Sequence, residues 1–238
     1  MADKLSFLTV TYQYDFPLLV RQLQSIEKFV HSEYTHHIVL NDDIQHMSEL
    51  VDLTDGYKNV IITHRDRVPG FVAHPTPLYG NIDYGWFMQQ TCKLVAANIV
   101  TTDYYLVLDS KNYLVDSFDV DQWIGDKVSA LRFYPDVDLT EWFKETCRLF
   151  ELDYSKCVDR AMEARTPFVM RTQHVLDLLE YIHSRGLTIT EVIGNHEHAK
   201  FKSVEFYLYN GWLLYTGRLD QEIHWIDYAN EFRGSKEL

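Results

Sequence analysis

The sequence predicts a single α/β domain on a mostly parallel, doubly wound sheet flanked by helices. Three observations carry this. Short apolar runs rich in β-branched and aromatic residues occur at 5–11, 37–40, 59–63 and 104–108, with the length and make-up of buried strands. Each run stops on a polar cluster: Tyr12 to Asp15, Asn41-Asp42-Asp43, His64-Arg65-Asp66 and Asp109-Ser110-Lys111-Asn112. Helical or irregular connections separate the runs, the alternation expected of parallel strands joined by crossovers. Right-handed crossovers then bring the polar ends to one edge of the sheet, where open α/β sheets hold their ligands.

The elements follow in order. Leu5 to Thr11 forms a first strand, and Pro17 suits the start of a helix that runs to about Val30 with Leu19, Leu23, Ile26 and Val30 on one face. Strands at 37–40 and 59–63 come next. Pro69, Gly70, Pro75, Pro77, Gly80 and Asn81 make a loop of 68–83. A helix opens at Gly85-Trp86 and reaches about Ile99, with Gln89 and Lys93 one turn apart and Gln90 beside them. The strand that ends on Asp109 follows. Residues 128–134 read as a further strand and 139–150 as an amphipathic helix. Residues 166–170 are a short extended piece, and a helix from Thr172 or Gln173 is stopped by Gly186. The segment Ser203 to Tyr209 reads as strand-like and leads into Gly211-Trp212, and the end from Arg233 is frayed. There is no internal repeat or linker, so one domain spans 1–238.

Bulk composition narrows the function. A chain of 238 residues with 46% hydrophobic residues suits a globular domain with a full core. A net charge of −13 argues against a broad nucleic-acid surface, which needs clustered Lys and Arg, and makes duplex DNA a disfavoured partner. A local basic pocket for one nucleotide diphosphate remains compatible with it. Cys92, Cys147 and Cys157 include no CxxC pair, which speaks against a disulfide framework or a Cys zinc site and fits a reducing cytoplasm. No run approaches the roughly 18 apolar residues of a membrane span, so the expectation is a soluble protein.

The candidate site is the crevice lined by Tyr12, Asp15, Asn41, Asp42 and Arg65, with the Asp109 stretch beside it. Neither GxGxxG nor GxxxxGK[ST] occurs, so the dinucleotide fingerprint and the P-loop are both missing. Each candidate has a plainer reading. A polar strand exit is ordinary turn chemistry, Gln89, Gln90 and Lys93 also suit a solvated helix face, Arg65 also suits a surface cation, and Tyr12 a core ring. His196-Glu197-His198 is not HExxH; a surface or acceptor-loop role is favoured over metal ligation.

Four patches, in this order, resemble the GT-A-type nucleotide-sugar glycosyltransferases, and in particular a small bacterial and phage family assigned to that superfamily. They are Leu8-Thr9-Val10-Thr11-Tyr12 with Asp15; Gly85-Trp86 to Lys93 with Gln89-Gln90; Leu106 to Asn112; and Thr166-Pro167-Phe168-Val169 together with Glu205-Phe206-Tyr207-Leu208-Tyr209. The resemblance implies a Rossmann-like GT-A sheet, a donor half at 1–115 and an acceptor half at 116–238. It implies transfer of a sugar from a nucleotide donor, UDP- or GDP-linked, to a glycan or small acceptor, or to a modified nucleobase. By the same resemblance Thr11, Tyr12, Asp15, Asn41, Asp42, Arg65, Trp86, Gln89, Gln90, Lys93, Asp109, Ser110, Lys111 and Asn112 bind the donor. Glu205 and Asp109 are catalytic, with Glu205 the base, and Tyr207, Tyr209 and His196 meet the acceptor.

The superfamily's Asp-x-Asp motif holds a divalent metal that neutralises the departing diphosphate. Here Asp109-Ser110-Lys111 carries lysine where the second carboxylate belongs. Asp109 and Asn112 holding Mn²⁺ or Mg²⁺, Lys111 replacing the metal, and loss of donor chemistry are the three outcomes; the second is favoured, with no cofactor required. Two other functions compete: a non-catalytic nucleotide- or sugar-binding module, and a sugar-phosphate nucleotidyltransferase. The last lacks its usual glycine-rich basic loop, since Thr11-Tyr12-Gln13-Tyr14-Asp15 has neither glycine nor a basic residue.

Overall fold

The computed structural model describes residues 5–73, 82–131, 140–194, 199–226 and 232–234. Among them, strands β1 (Leu5–Thr11), β2 (Thr35–Leu40), β3 (Val60–His64), β4 (Tyr104–Asp109), β5 (Asn112–Leu114), β6 (Val128–Leu131), β7 (Phe168–Arg171), β8 (Ile223–Ile226) and β9 (Phe232–Gly234) are present. The helices are α1 (Phe16–Phe29), α2 (Met47–Thr54), α3 (Ile82–Val95), α4 (Val120–Trp123), α5 (Thr140–Leu149), α6 (Tyr154–Cys157), α7 (Thr172–Ser184), α8 (Ile189–Val192), α9 (Glu205–Tyr215) and α10 (Leu219–Glu222).

The main sheet has the order β3-β2-β1-β4-β7. β1 pairs in parallel with β2 and β4, β2 pairs in parallel with β3, and β7 runs antiparallel to β4. The sequence therefore reads the sheet correctly: four parallel strands whose carboxyl ends share one edge, and a strand order that reverses between β1 and β4. That reversal is the switch point at which such sheets open a crevice. β5 with β9 and β6 with β8 make two small ladders beside it.

Every residue of β1 is buried, so its side chains alternate between two packed faces. On one face Phe16, Leu19 and Leu23 of α1 meet Ile38 and Leu40 of β2 and Leu50 of α2. On the other, Leu8 and Val10 join Tyr105 and Val107 with residues of α3, α7 and α9 in the larger core. The apolar stripe of α1 faces the sheet as its spacing requires, and Gly186, at φ +69°, ends the C-terminal turn of α7. Among the described residues no helix is long and apolar enough to cross a membrane.

One element differs in kind from the sequence expectation. The stretch from Glu205 is not strand-like; it is helix α9, buried from Glu205 through Leu213. A helix enclosed on all sides is apolar all round and shows no 3.6-residue period, so Phe206-Tyr207-Leu208-Tyr209 mimics a strand. α9 packs closely on α5 at Gly211. A Cβ there would run into Thr146 Cγ2 and lie 2.8 Å from the Phe150 ring. Gly211→Ala is expected to lower stability by about 1–3 kcal/mol through overpacking, measured as a fall in the urea midpoint with unchanged slope.

β2 also buries His36 completely, with its Nε2 2.9 Å from Thr9 Oγ1. Burial, with neighbouring His37 adding to it, holds the His36 pKa down at about 3. The unfolded chain then binds a proton that the folded chain refuses, so stability falls as pH drops below about 6.5. Between pH 7.5 and pH 5, His36 alone should remove on the order of 2 kcal/mol of unfolding free energy. Urea titrations at the two pH values check this, and His36→Gln should flatten the dependence.

Candidate functional site

The four parallel strand ends converge as a built polar edge. At β2 and β3, Asn41 donates from Nδ2 to the Gly85 carbonyl at 2.9 Å and accepts from Arg65 Nη1 at 3.0 Å. Asn41 therefore ties the start of α3 to the loop after β3. The two oxygens of Asp42 accept from the backbone N–H of Gln13, at 3.0 Å, and of Asp43, at 2.8 Å. Asp42 shapes these loops with its own carboxylate. Gln89 reaches down from α3 to the Val10 carbonyl at 3.2 Å. Tyr12, 42% exposed, stands at the lip of the crevice beside exposed Tyr14.

At the end of β4 the chain reverses through Ser110 and Lys111 into β5. Asn112 closes this turn: its Oδ1 accepts from the Asp109 N–H at 2.7 Å, and the side chain is buried. Ser110 is buried too and donates to Thr11 Oγ1 at 3.0 Å, pinning the turn to β1. Lys111 alone in the turn reaches outward, 45% exposed, with Nζ 3.6 Å from Asp109 Oδ2.

Beneath the turn lies a buried charge cluster. Lys93 of α3 donates to Asp109 Oδ1 at 3.0 Å and to Glu205 Oε1 at 3.2 Å. Its side chain is 4% exposed and that of Glu205 2%. Burial opposes the Lys93 charge, but Asp109 and Glu205 together outweigh it and raise its pKa above the ordinary lysine value. Burial likewise opposes ionisation of Asp109, yet Lys93 and Lys111 hold its pKa below the usual carboxylate range. Burial raises the pKa of Glu205 against the pull of Lys93. With its amide oriented to satisfy both ends, Gln90 donates to the Glu205 carboxylate and accepts from Trp86 Nε1 at 3.2 Å. Trp86 packs on Trp142 with ring centroids 5.2 Å apart.

Asp15 completes the group. Its pKa is raised by burial and then by Asp109, while Lys111 and the nearby Tyr12 and Ser110 hydroxyls pull the other way. It is a partly buried carboxylate open to the crevice and within electrostatic reach of the turn.

The structure thus gathers Thr11, Tyr12, Asp15, Asp109, Ser110 and Lys111 at one mouth, with Asn41, Asp42 and Arg65 along the neighbouring strand ends. Glu205 is placed differently from the expected base: at the first turn of α9 it is buried as the partner of Lys93. Tyr207 and Tyr209 are 0% and 1% exposed, and Tyr209 Oη accepts from the Arg171 N–H at 3.1 Å, so both belong to the core and offer no acceptor surface. His196 lies outside the described residues.

The donor set does not suit a divalent cation. An ammonium faces each Asp109 oxygen, Asn112 Oδ1 is taken by a backbone N–H, and divalent ions need several converging oxygens. Among the described residues no three His, Cys, Asp or Glu side chains converge on a metal position.

Sequence reasoning missed Gln22, which donates from Nε2 to the Asp109 carbonyl at 2.8 Å and to the Asn112 carbonyl at 2.9 Å. A signal existed: Gln22 shares the inward stripe of α1 with Leu19, Leu23 and Ile26, and a polar side chain on a buried face must have a partner.

Known proteins share this fold. A sequence-family profile described as "Family of unknown function (DUF6492)" matches residues 13–237. No curated protein matches the sequence. Among solved structures, WbbM, titled a bifunctional glycosyltransferase, superposes with a TM-score of 0.52 at 11% identity, over 95% of this chain and 39% of that one. TarS of S. aureus gives 0.52 at 14% identity, over 97% of this chain and 36% of that one. Mouse xyloside xylosyltransferase 1 gives 0.52 at 10%, over 93% of this chain and 84% of that one. This chain thus spans little more than a third of the first two. At these identities the likeness establishes the architecture, a GT-A-type sheet.

Proposed function

Since the chain belongs to the DUF6492 family and carries a GT-A-type fold, we propose that it is a glycosyltransferase that takes its sugar from a nucleotide-sugar donor without a divalent metal. The observation that carries this reading is Lys111: an outward ammonium on a turn pinned at the β1/β4 crevice. The glycosyltransferase titles of WbbM and xyloside xylosyltransferase 1 support the reaction class.

In this reading the nucleotide lies along Tyr12, Asn41 and Arg65, and its diphosphate lies over Ser110-Lys111. The bond between the sugar's anomeric carbon and the phosphate oxygen breaks, and Lys111 neutralises the charge left on the diphosphate. The acceptor hydroxyl bonds to the anomeric carbon and gives up its proton to a carboxylate. Asp15, with partial exposure and a raised pKa, suits that role; buried Glu205 does not. The donor is UDP- or GDP-linked, the acceptor is a glycan or small molecule, and three buried thiols suit a reducing cytoplasm.

A thermal-shift screen over UDP-, GDP-, CMP- and dTDP-sugars, with EDTA or Mn²⁺, tests the proposal when followed by an assay for released nucleotide. A UDP- or GDP-sugar should stabilise the protein and be hydrolysed slowly in EDTA. Asp15→Asn should keep donor affinity and lose at least about 100-fold in transfer. No shift with any donor would reject the reading. The burial of Glu205 favours a second reading, a non-catalytic nucleotide-sugar-binding module, which predicts binding without turnover whatever acceptor is supplied.

A further inference from the structure

We infer that Gln22 is a positioning residue: through one buried amide it holds the Asp109–Asn112 turn in the shape that presents Lys111 to a diphosphate. The inference rests on the diphosphate reading of that turn.

Gln22 is fully buried in α1, on the opposite face of the sheet from Lys93 and Asp109's carboxylate. Its two Nε2 hydrogens go to the carbonyls of Asp109 and Asn112, the residues on either side of Ser110-Lys111. Its Oε1 accepts from Thr9 Oγ1 at 2.7 Å. The Thr9 hydroxyl has one proton and gives it to Gln22, so the 2.9 Å contact between Thr9 Oγ1 and His36 requires a proton on His36 Nε2. Burial keeps that imidazole neutral. The result is a one-way chain of donors, His36 to Thr9 to Gln22 to both carbonyls, with every amide position of Gln22 used.

The geometry has a specific effect. The turn is fixed internally by the Asn112 Oδ1 bond to the Asp109 N–H and sideways by Ser110 on Thr11. Neither contact restrains the two flanking carbonyls. Without the Gln22 amide these carbonyls lose the donor that joins them across the turn, and the peptide planes on either side of Lys111 are held less firmly. Among the described residues Lys111 makes one loose ion pair, 3.6 Å to Asp109 Oδ2, so the backbone supplies its placement. A cation that acts as a fixed charge gains its advantage from being held before the ligand arrives.

Gln22→Met keeps the length of the side chain and removes the donors, while Thr9→Val withdraws only the support for Oε1. Amide hydrogen exchange should show the 109–114 amides of Gln22→Met exchanging about tenfold faster, with β1 and β2 unchanged; Thr9→Val should give a smaller change in the same place. Calorimetric titrations with UDP against uridine, and GDP against guanosine, give the functional readout independently of how much protein is active. Gln22→Met should weaken the diphosphate about tenfold and leave the nucleoside unchanged, because only the phosphate side of the site is disturbed. Unchanged exchange at 109–114 would overturn the clamp, and so would equal losses for nucleoside and diphosphate. If the wild type binds neither diphosphate, the proposed function fails, and the exchange measurement still decides whether Gln22 holds the turn.

Discussion

Lys93→Met is expected to cost about 3–5 kcal/mol of unfolding free energy. The substitution leaves Glu205, 2% exposed, without its cation and beside Asp109, which keeps Lys111, and removing one partner of a buried ion pair carries a penalty of that size. The loss should shrink when the second carboxylate goes too: Lys93→Met with Glu205→Leu replaces a charged contact with an apolar one and should recover a large part of it. Urea denaturation of the two single variants and the double variant closes the cycle. Additive losses would mean that the 3.2 Å contact contributes nothing of its own.

Lys111→Met should have the opposite profile. The side chain is 45% exposed and, among the described residues, makes one weak ion pair, so stability should change by less than about 0.5 kcal/mol. Donor turnover should fall about 100- to 1,000-fold, the range for removing one preorganised group that meets developing charge. Wild-type turnover should survive EDTA. K111D places a second carboxylate two residues after Asp109 and should convert the reaction to one that requires Mn²⁺. A wild-type enzyme silenced by EDTA would refute the role given to Lys111.

The legibility of these features in the sequence follows from distance along the chain. β1 was readable to the residue, because a strand packed on both faces is a continuous apolar run ending where its burial ends. The meeting of the strand ends was readable too, since handedness and alternation leave few topologies. α9 was not, because total burial erases the period that marks a helix. Lys93 and Glu205 both stand out in the sequence, but as a donor-binding residue and a base; their contact spans 112 residues, and no local pattern encodes a pairing at that separation. Tyr207 and Tyr209 read as acceptor residues for the same reason, since their burial depends on contacts distant in the chain. Gln22 carries no local mark of its partners, because the inward stripe of α1 reads through its apolar members.

The buried ammonium has a bearing on how the molecule comes apart. Lys93 belongs to the segment before residue 115 and Glu205 to the segment after it, and the last strand of the main sheet, β7, also comes from the later segment. A chain severed between the two would strand the lysine's charge on one piece and one of its counterions on the other, and would strip β4 of a neighbour. The segments before and after residue 115 are therefore regions of a single cooperative unit, and thermal melting should proceed in one transition in which both lose structure together.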